Sequence, residues 1–474
     1  MLFNSYEFLF AFLPLTFILY WFCGRGVHWR MTVLALASYA FYAWWDWRFM
    51  FLMIAGTSVN YLAAKRMVKL ESSDGARGKR ALLIAPIVVN LSLLAVFKYF
   101  GFFSRIASEL SQFLHGGPLP VVALILPIGI SFYTFEAISY IIDVYRGVTK
   151  PARSFLEYTC FISMFPRLIA GPIVRYADLE AQFAAHRAGE FDQQFGPPAD
   201  HLRVGLLLLT MGMVKKVLIA DRLALAIGPW WSASSLGLAD SWAAVLGYAF
   251  QIYFDFSGYS DIAVGLAHLF GFRLPQNFNS PYQATDPIDF WRRWHMTLSS
   301  WLRDYLYIPL GGNRRGRRTR NLMLTMLLGG LWHGAAWQFI AWGGWHGLLL
   351  VGTHWLTRGA DPDRPRHVAR LWISRQITFA LVVAGWVLFR ADGLDSAGRM
   401  FGALFGAGGA ATTSASSVLI VCAFLWVWVN FVPNSFQIAY RTPPRLRYAV
   451  IAGSALACCA VFFGTKTDFL YFQF

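Results

Sequence analysis

Apolar runs about twenty residues long recur along this chain, the length a helix needs to cross the hydrocarbon core of a bilayer. The connections between them are short and hold most of the charge. In lipid every backbone N–H and C=O must be satisfied internally, so such runs are read as membrane helices. Composition agrees: 57% of residues are apolar and 14% charged, where a soluble domain carries about a quarter charged. The fold class expected is all-α and polytopic, one integral-membrane domain over residues 1–474.

A net charge of +16 would fit a nucleic-acid binder, but the basic residues sit in connections between apolar runs. Lys65, Arg66, Lys69, Arg77, Lys79 and Arg80 make one such cluster and Arg314 to Arg320 another. That is the cytoplasmic-loop pattern, and counting back three spans puts the N-terminus outside. Nucleic acid is excluded as a partner; the bilayer is the partner. The five cysteines lie in or beside apolar stretches without metal-ligand spacing and read as buried hydrophobes. Residues 7–22 lack a cationic start and a small-residue cleavage site, so they read as a retained first helix rather than a signal peptide.

Helices are expected near 7–23, 31–46, 48–64, 81–97, 120–142, 155–172, 203–227, 241–270, 321–357, 371–389, 416–433 and 448–464. Shorter pieces at 99–114 and 291–308 are expected to enter the membrane without crossing. The segment 175–202 reads as a long polar loop along a membrane surface. Gly171-Pro172 is placed to end or kink a helix, and 402–417, rich in Gly, Ala and Ser, reads as a loop or a loose helix end.

Charges at membrane depth are costly unless paired or wet. Glu136, Tyr140 and Asp143 fall on one helix face, as do Gln251, Asp255 and Tyr259, with Asp261 elsewhere on the second helix. Two readings stand: polar clamps between helices, or the lining of a hydrated tunnel.

The most unusual chemistry lies between Asp286 and Gly347. Trp291, Trp294, His295, Leu298, Trp301, Leu302 and Tyr305 form one stripe at helical period, with Arg292, Arg293, Ser299, Ser300 and Arg303 opposite. Asp289 is placed to pair Arg293. This amphipathic helix, preceded by Asp286-Pro287 and stopped by Pro309 and Gly311-Gly312, is expected to be interfacial or re-entrant. His333 follows Gly329 and Gly330, and with Gly334 these are expected to leave room for substrate beside its imidazole. On an unbroken helix His346 would lie nearly opposite His333, so one reads as a catalyst and the other as structural. No HExxH or HxxxH motif occurs and no metal site is expected. The run GGNRRGRRTRN is a cytoplasmic anchor or a dock for a cofactor's phosphates or an acidic carrier. No GxSxG elbow is present for a serine nucleophile.

The motifs PIGISFYTFEAISYIIDVYRG (127–147), FPRLIAGPIVRY (165–176), FDFSGYSDIAVGLAHLFG (254–271) and NFNSPYQATDPIDFWRRWHMTLSSWLRDYLYIPLGG (277–312) resemble the membrane-bound O-acyltransferase (MBOAT) family. LGGLWHGAAW (328–337), WVLFRA (386–391) and the tail FLYFQF (469–474) continue the likeness, nearest its bacterial polysaccharide O-acetylation branch. The resemblance implies an MBOAT-type bundle of 11–12 transmembrane helices with re-entrant segments around a central tunnel, the catalytic core at 120–350. It implies catalytic positions at His333 and His295, the latter an asparagine in many eukaryotic members. His333 would be general base or transient acetyl carrier, since an imidazole with its ordinary pKa of about 6.5 suits proton removal. His295 would orient the thioester or stabilise the oxyanion.

Arg314, Arg315, Arg317 and Arg318 would meet acetyl-CoA or another acyl thioester, a donor substrate rather than a bound cofactor. The implied partners are a periplasmic SGNH-type acetyltransferase, the export machinery and an exopolysaccharide such as alginate. The implied location is the bacterial inner membrane. D-alanyl or other acyl transfer to teichoic acid or peptidoglycan is the alternative within the enzyme class. A transporter or export channel is the alternative outside it, and would explain the buried carboxylates.

Overall fold

A computed structural model describes residues 1–70, 75–122, 124–169, 171–190, 197–357, 367–409, 415–463 and 470, without the side chain of Arg315. The tail FLYFQF, apart from Leu470, lies outside the described residues. Every regular element among the described residues is helical. The chain forms two compact units, Met1–Leu209 with Ile262–Pro275, and Thr210–Asp261 with Gln276–Phe474.

In the first unit, Val27–Lys69 is broken at Asp46, whose backbone is extended, where the sequence separates two helices. Gly75–Leu94 continues through a π turn, Ala95–Tyr99, into Phe100–Phe113. The piece at 99–114 is therefore the end of a 39-residue helix rather than a separate segment. The helix expected over 120–142 starts only at Ile130. Gly129 before it has φ +75°, and a Cβ there would lie 2.5 Å from the Leu168 carbonyl oxygen.

The helix expected over 155–172 stops at Ser163, ahead of Gly171-Pro172. Pro166 disfavours helical geometry at Phe165, whose N–H instead donates to Ser38 Oγ at 3.0 Å. The expected loop 175–202 contains the helix Tyr176–Arg187, with Tyr176, Leu179 and Phe183 buried. Glu136 pairs with Arg167 and accepts from the Val174 N–H. The Tyr140 hydroxyl accepts from the Ala152 N–H. Both therefore tie helices to connections, the clamp reading of this face.

The second unit holds the helix Leu238–Leu269 up to Asp261. A π turn at Val214–Ala220 presents two adjacent lysines to it. Lys216 Nζ lies 2.7 Å from both Asp221 and Asp255, and Lys215 Nζ lies 2.6 Å from Asp261. Asp255 also accepts from the Leu470 N–H, and Asp261 from Ser435. A partner charge answers each of these carboxylates, so Asp255 too is a clamp.

The single helix expected over 321–357 is two helices, Arg318–His333 and Trp337–Leu356, joined by extended backbone at Gly334 and Ala336. They fold back on each other. A Cβ at Gly330 would lie 2.2 Å from the Phe339 carbonyl oxygen, and one at Gly343 2.3 Å from that of Met326. Only glycines let the backbones approach so closely. Arg318 meets His354 at the open end of this hairpin, Nη2 to Nε2 2.8 Å.

By length and composition, Gly75–Phe113 and Val368–Arg390 can each cross a membrane unaided, and the bent pair Ala415–Phe431 and Ser435–Arg441 makes a third candidate. Glu7–Trp21 and Leu446–Val461 are apolar but shorter, so by length and composition the described residues hold fewer unaided spans than the eleven or twelve expected.

Candidate active site

The second unit gathers His295, His333 and His346 along one string of aromatic rings. The amphipathic stripe around His295 is not one helix. Asp286 caps Pro287–Trp291, accepting from the N–H groups of Ile288 and Asp289, and Asp289 holds Arg293 at 2.8 Å as expected. The next helix, Met296–Leu302, starts only after His295, which is left-handed with φ +43° and ψ +53°. The cause is the strand-like passage of residues 277–279 alongside. The Asn279 N–H donates to the Arg293 carbonyl and the Met296 N–H to the Asn277 carbonyl, each at 2.9 Å. Those groups are thus satisfied outside any helix, and the chain turns at His295.

The Asn277 side chain sets the chemistry of this turn. Its Oδ1 accepts from the Thr297 N–H at 3.3 Å and the Thr297 hydroxyl at 2.9 Å, and lies 3.1 Å from His295 Nδ1. Its Nδ2 donates to Ser260 Oγ. A backbone N–H can only donate, so the atom facing Nδ1 is the oxygen, and in neutral His295 the ring hydrogen sits on Nδ1. Nε2 then carries the lone pair. A neutral His295 accepts a hydrogen bond there, which suits a hydroxyl donor and not an oxyanion. Asn277, 1% exposed, was not among the residues singled out by sequence. Its only local signal is a polar residue within NFNSPYQ.

His333 is the last residue of its helix and 4% exposed. The expected room beside it is only partly there. Gly330 is taken up by the backbone contact with Phe339 and Gly343, and a Cβ at Gly334 would strike the Phe339 ring at 2.1 Å. Gly329 alone leaves space, with Leu302 Cδ1 at 3.4 Å as the nearest atom. His333 sits edge-on to Trp342 at 5.0 Å and Phe389 at 5.3 Å. Trp332 links it to His295, with ring centroids 4.9 and 6.3 Å away.

His346 lies on the other side of Trp342, at 4.9 Å. The break at Gly334–Ala336 has turned the helix back, so the two histidines share a ring instead of occupying opposite faces. Of the predicted arginines, Arg314 and Arg317 are exposed, Arg318 meets His354, and the Arg315 side chain lies outside the described residues. They stand at the hairpin's open end, and 15 residues of helix separate Arg318 from His333, a rise of about 22 Å.

Comparisons with known proteins give the class to which this helical chain with its buried histidines belongs. Residues 149–383 match the MBOAT, membrane-bound O-acyltransferase family. The chain is 45% identical over 412 residues to the probable alginate O-acetylase AlgI of Pseudomonas aeruginosa, covering 86% of this chain and 75% of the relative. It is 38% identical over 445 residues to the peptidoglycan O-acetyltransferase of Helicobacter pylori, covering 86% and 80%. It is 30% identical over 283 residues to the teichoic acid D-alanyltransferase of Bacillus subtilis, covering 56% and 69%. The chain belongs to the membrane-bound O-acyltransferase family and is an acyltransferase.

Proposed function

We propose that this protein is a multi-pass O-acetyltransferase of the bacterial inner membrane that passes acetyl groups from a cytoplasmic thioester, acetyl-CoA, towards an exopolysaccharide. Alginate is the acceptor polymer that the relatives favour. The observation that carries the reading is the buried string His295–Trp332–His333, deep along the hairpin from its exposed arginines.

In this scheme Arg314 and Arg317 meet the donor's phosphates at the hairpin's open end. His333 takes the proton of the attacking hydroxyl as its oxygen bonds to the acetyl carbonyl carbon. The carbon–sulfur bond then breaks, and the leaving thiolate receives that proton from His333. His295, an acceptor at Nε2, orients the hydroxyl. The hydroxyl belongs to a periplasmic SGNH-type transferase, which esterifies the polymer in a second step.

The test uses purified protein in proteoliposomes with acetyl-CoA labelled in the acetyl group, and partner or sugar acceptor outside. His333→Ala is expected to lower transfer by roughly 10²–10⁴-fold with an unchanged melting temperature. Transfer at the wild-type rate in that variant would overturn the assignment. Activity only with a carrier-bound D-alanyl thioester would move the protein to the teichoic-acid alternative.

A further inference from the structure

Beyond the end of the helix Val368–Arg390, the described residues enclose a cleft of about 210 Å³. Its lining joins two buried indoles, Trp230 and Trp231, to the polar side chains of Ser234, Ser235, Ser396 and Arg399. The backbone fixes its walls. The Gly409 N–H donates to the Leu236 carbonyl at 3.0 Å, and a Cβ at Gly408 would lie 1.9 Å from that same oxygen, so the two segments meet through glycine. The Trp242 indole donates to the Leu404 carbonyl at 3.2 Å. Arg399 is exposed and forms no ion pair among the described residues, while Asp392 faces Arg390 at 3.8 Å.

The cleft lies at the far end of a spanning helix from the arginines of the hairpin. Trp337–Leu356 returns to the hairpin's open end, where His354 meets Arg318, and the chain next enters Val368–Arg390, which is long and apolar enough to cross a membrane. With the arginine cluster cytoplasmic, Arg390 and the cleft are on the periplasmic face. Two adjacent residues join it to the histidines: Phe389 packs edge-on to His333 at 5.3 Å, and Arg390 lies over the Trp231 ring at 5.6 Å.

The lining selects a ligand chemistry. A guanidinium grips a carboxylate through two parallel hydrogen bonds, serine hydroxyls both donate and accept, as sugar hydroxyls require, and indoles give an apolar surface to a ring. The volume is below the roughly 300 Å³ of a drug-sized pocket, which suits one ring at a time. We infer that this cleft binds a carboxylated sugar ring of an acidic exopolysaccharide, Arg399 taking the carboxylate and the serines the ring hydroxyls. It thereby holds the acceptor polymer at the face to which acetyl groups are passed. This rests on the exopolysaccharide reading above and adds to it a polymer site on this chain itself.

The experiment measures, by calorimetry on the full chain in lipid nanodiscs, the Kd for a short oligomannuronate and for neutral oligomannose of the same length. The wild type is expected to bind the oligomannuronate, and the neutral oligomer at least about tenfold more weakly. Arg399→Gln should raise the oligomannuronate Kd about tenfold, with Arg399→Lys intermediate because it keeps the charge and loses the fork. Ser396→Phe fills the cleft and should abolish binding; if it does not fold, the exposed Arg399 variants decide. Arg370→Gln, at the other end of the spanning helix, should bind as wild type does. Absence of binding by the wild type, equal affinity for the neutral oligomer, or wild-type affinity in Arg399→Gln overturns the inference. So does an equal loss in Arg370→Gln, which would mark general attraction of a polyanion to a basic protein. His333→Ala should keep the affinity while losing labelled acetyl transfer. Unchanged transfer in that variant overturns the acyl-transfer assignment by a readout separate from Arg399-dependent binding.

Discussion

The second unit buries polar groups in two ways. Around Lys216 every charge is answered, by Asp221 and Asp255 at 2.7 Å each, with Lys215, Asp261 and Ser435 alongside. Around His346 no described residue answers the ring nitrogens, and the neighbours are aromatic. The first arrangement holds helices together and is complete as it stands. The second is held by ring packing and leaves its polar atoms without a hydrogen-bond partner among the described residues. A buried polar residue in this protein is thus informative by what surrounds it, not by being buried. The transporter alternative drew on Glu136, Asp143 and Asp255, of which Glu136 and Asp255 are ion-paired.

Three changes sharpen that contrast, the largest effect first. Lys216→Met should leave Asp221 and Asp255 facing each other without a cation, at a cost of about 3–5 kcal/mol. It should appear as a large fall in thermal stability in detergent, partly reversed by adding Asp255→Asn. An unchanged melting temperature would break the assignment of this group as a clamp. Asn277→Ala removes the acceptor that holds His295 Nδ1 and Thr297, a loss of about 1–3 kcal/mol per orphaned group. It should lower kcat at least tenfold while Asn277→Asp, which keeps the acceptor, retains more. Equal activity in both variants would disconnect Asn277 from His295 chemistry. The smallest effect belongs to Arg314→Gln with Arg317→Gln. Exposed ion pairs contribute about 0–1 kcal/mol each, so donor KM should rise severalfold, more at low salt than at high. A KM indifferent to both mutation and salt would leave these arginines as anchors only.

Much of this was legible from local pattern. Long runs of one periodicity located the helix over 241–270 and the one over 371–389, and i, i+4 spacing placed Asp289 on Arg293. The breaks were harder. Pro309 and Gly311-Gly312 announced a stop that the structure keeps, with the helical backbone ending at Tyr307 and Gly311 at φ +112°. No local signal marked His295 as a left-handed turn, because its cause lies in residues 277–279 about eighteen positions earlier. Lys215 and Lys216 read as ordinary members of an apolar run until their carboxylates came into view.

The sequence by itself determined that this chain lives in a membrane, that its regular structure is helical, and which family it joins. Apolar length, the placement of basic loops and ordered motifs are local properties, and lipid permits few solutions for a backbone. Only the tertiary structure decided how the histidines relate. Gly330 and Gly343 set the approach of two helices, Asn277 sets a tautomer, and Gly385 lets its helix pack close against His346. Each is a contact between residues far apart in order, and periodicity along a chain carries no information about which distant backbone will satisfy a given hydrogen bond.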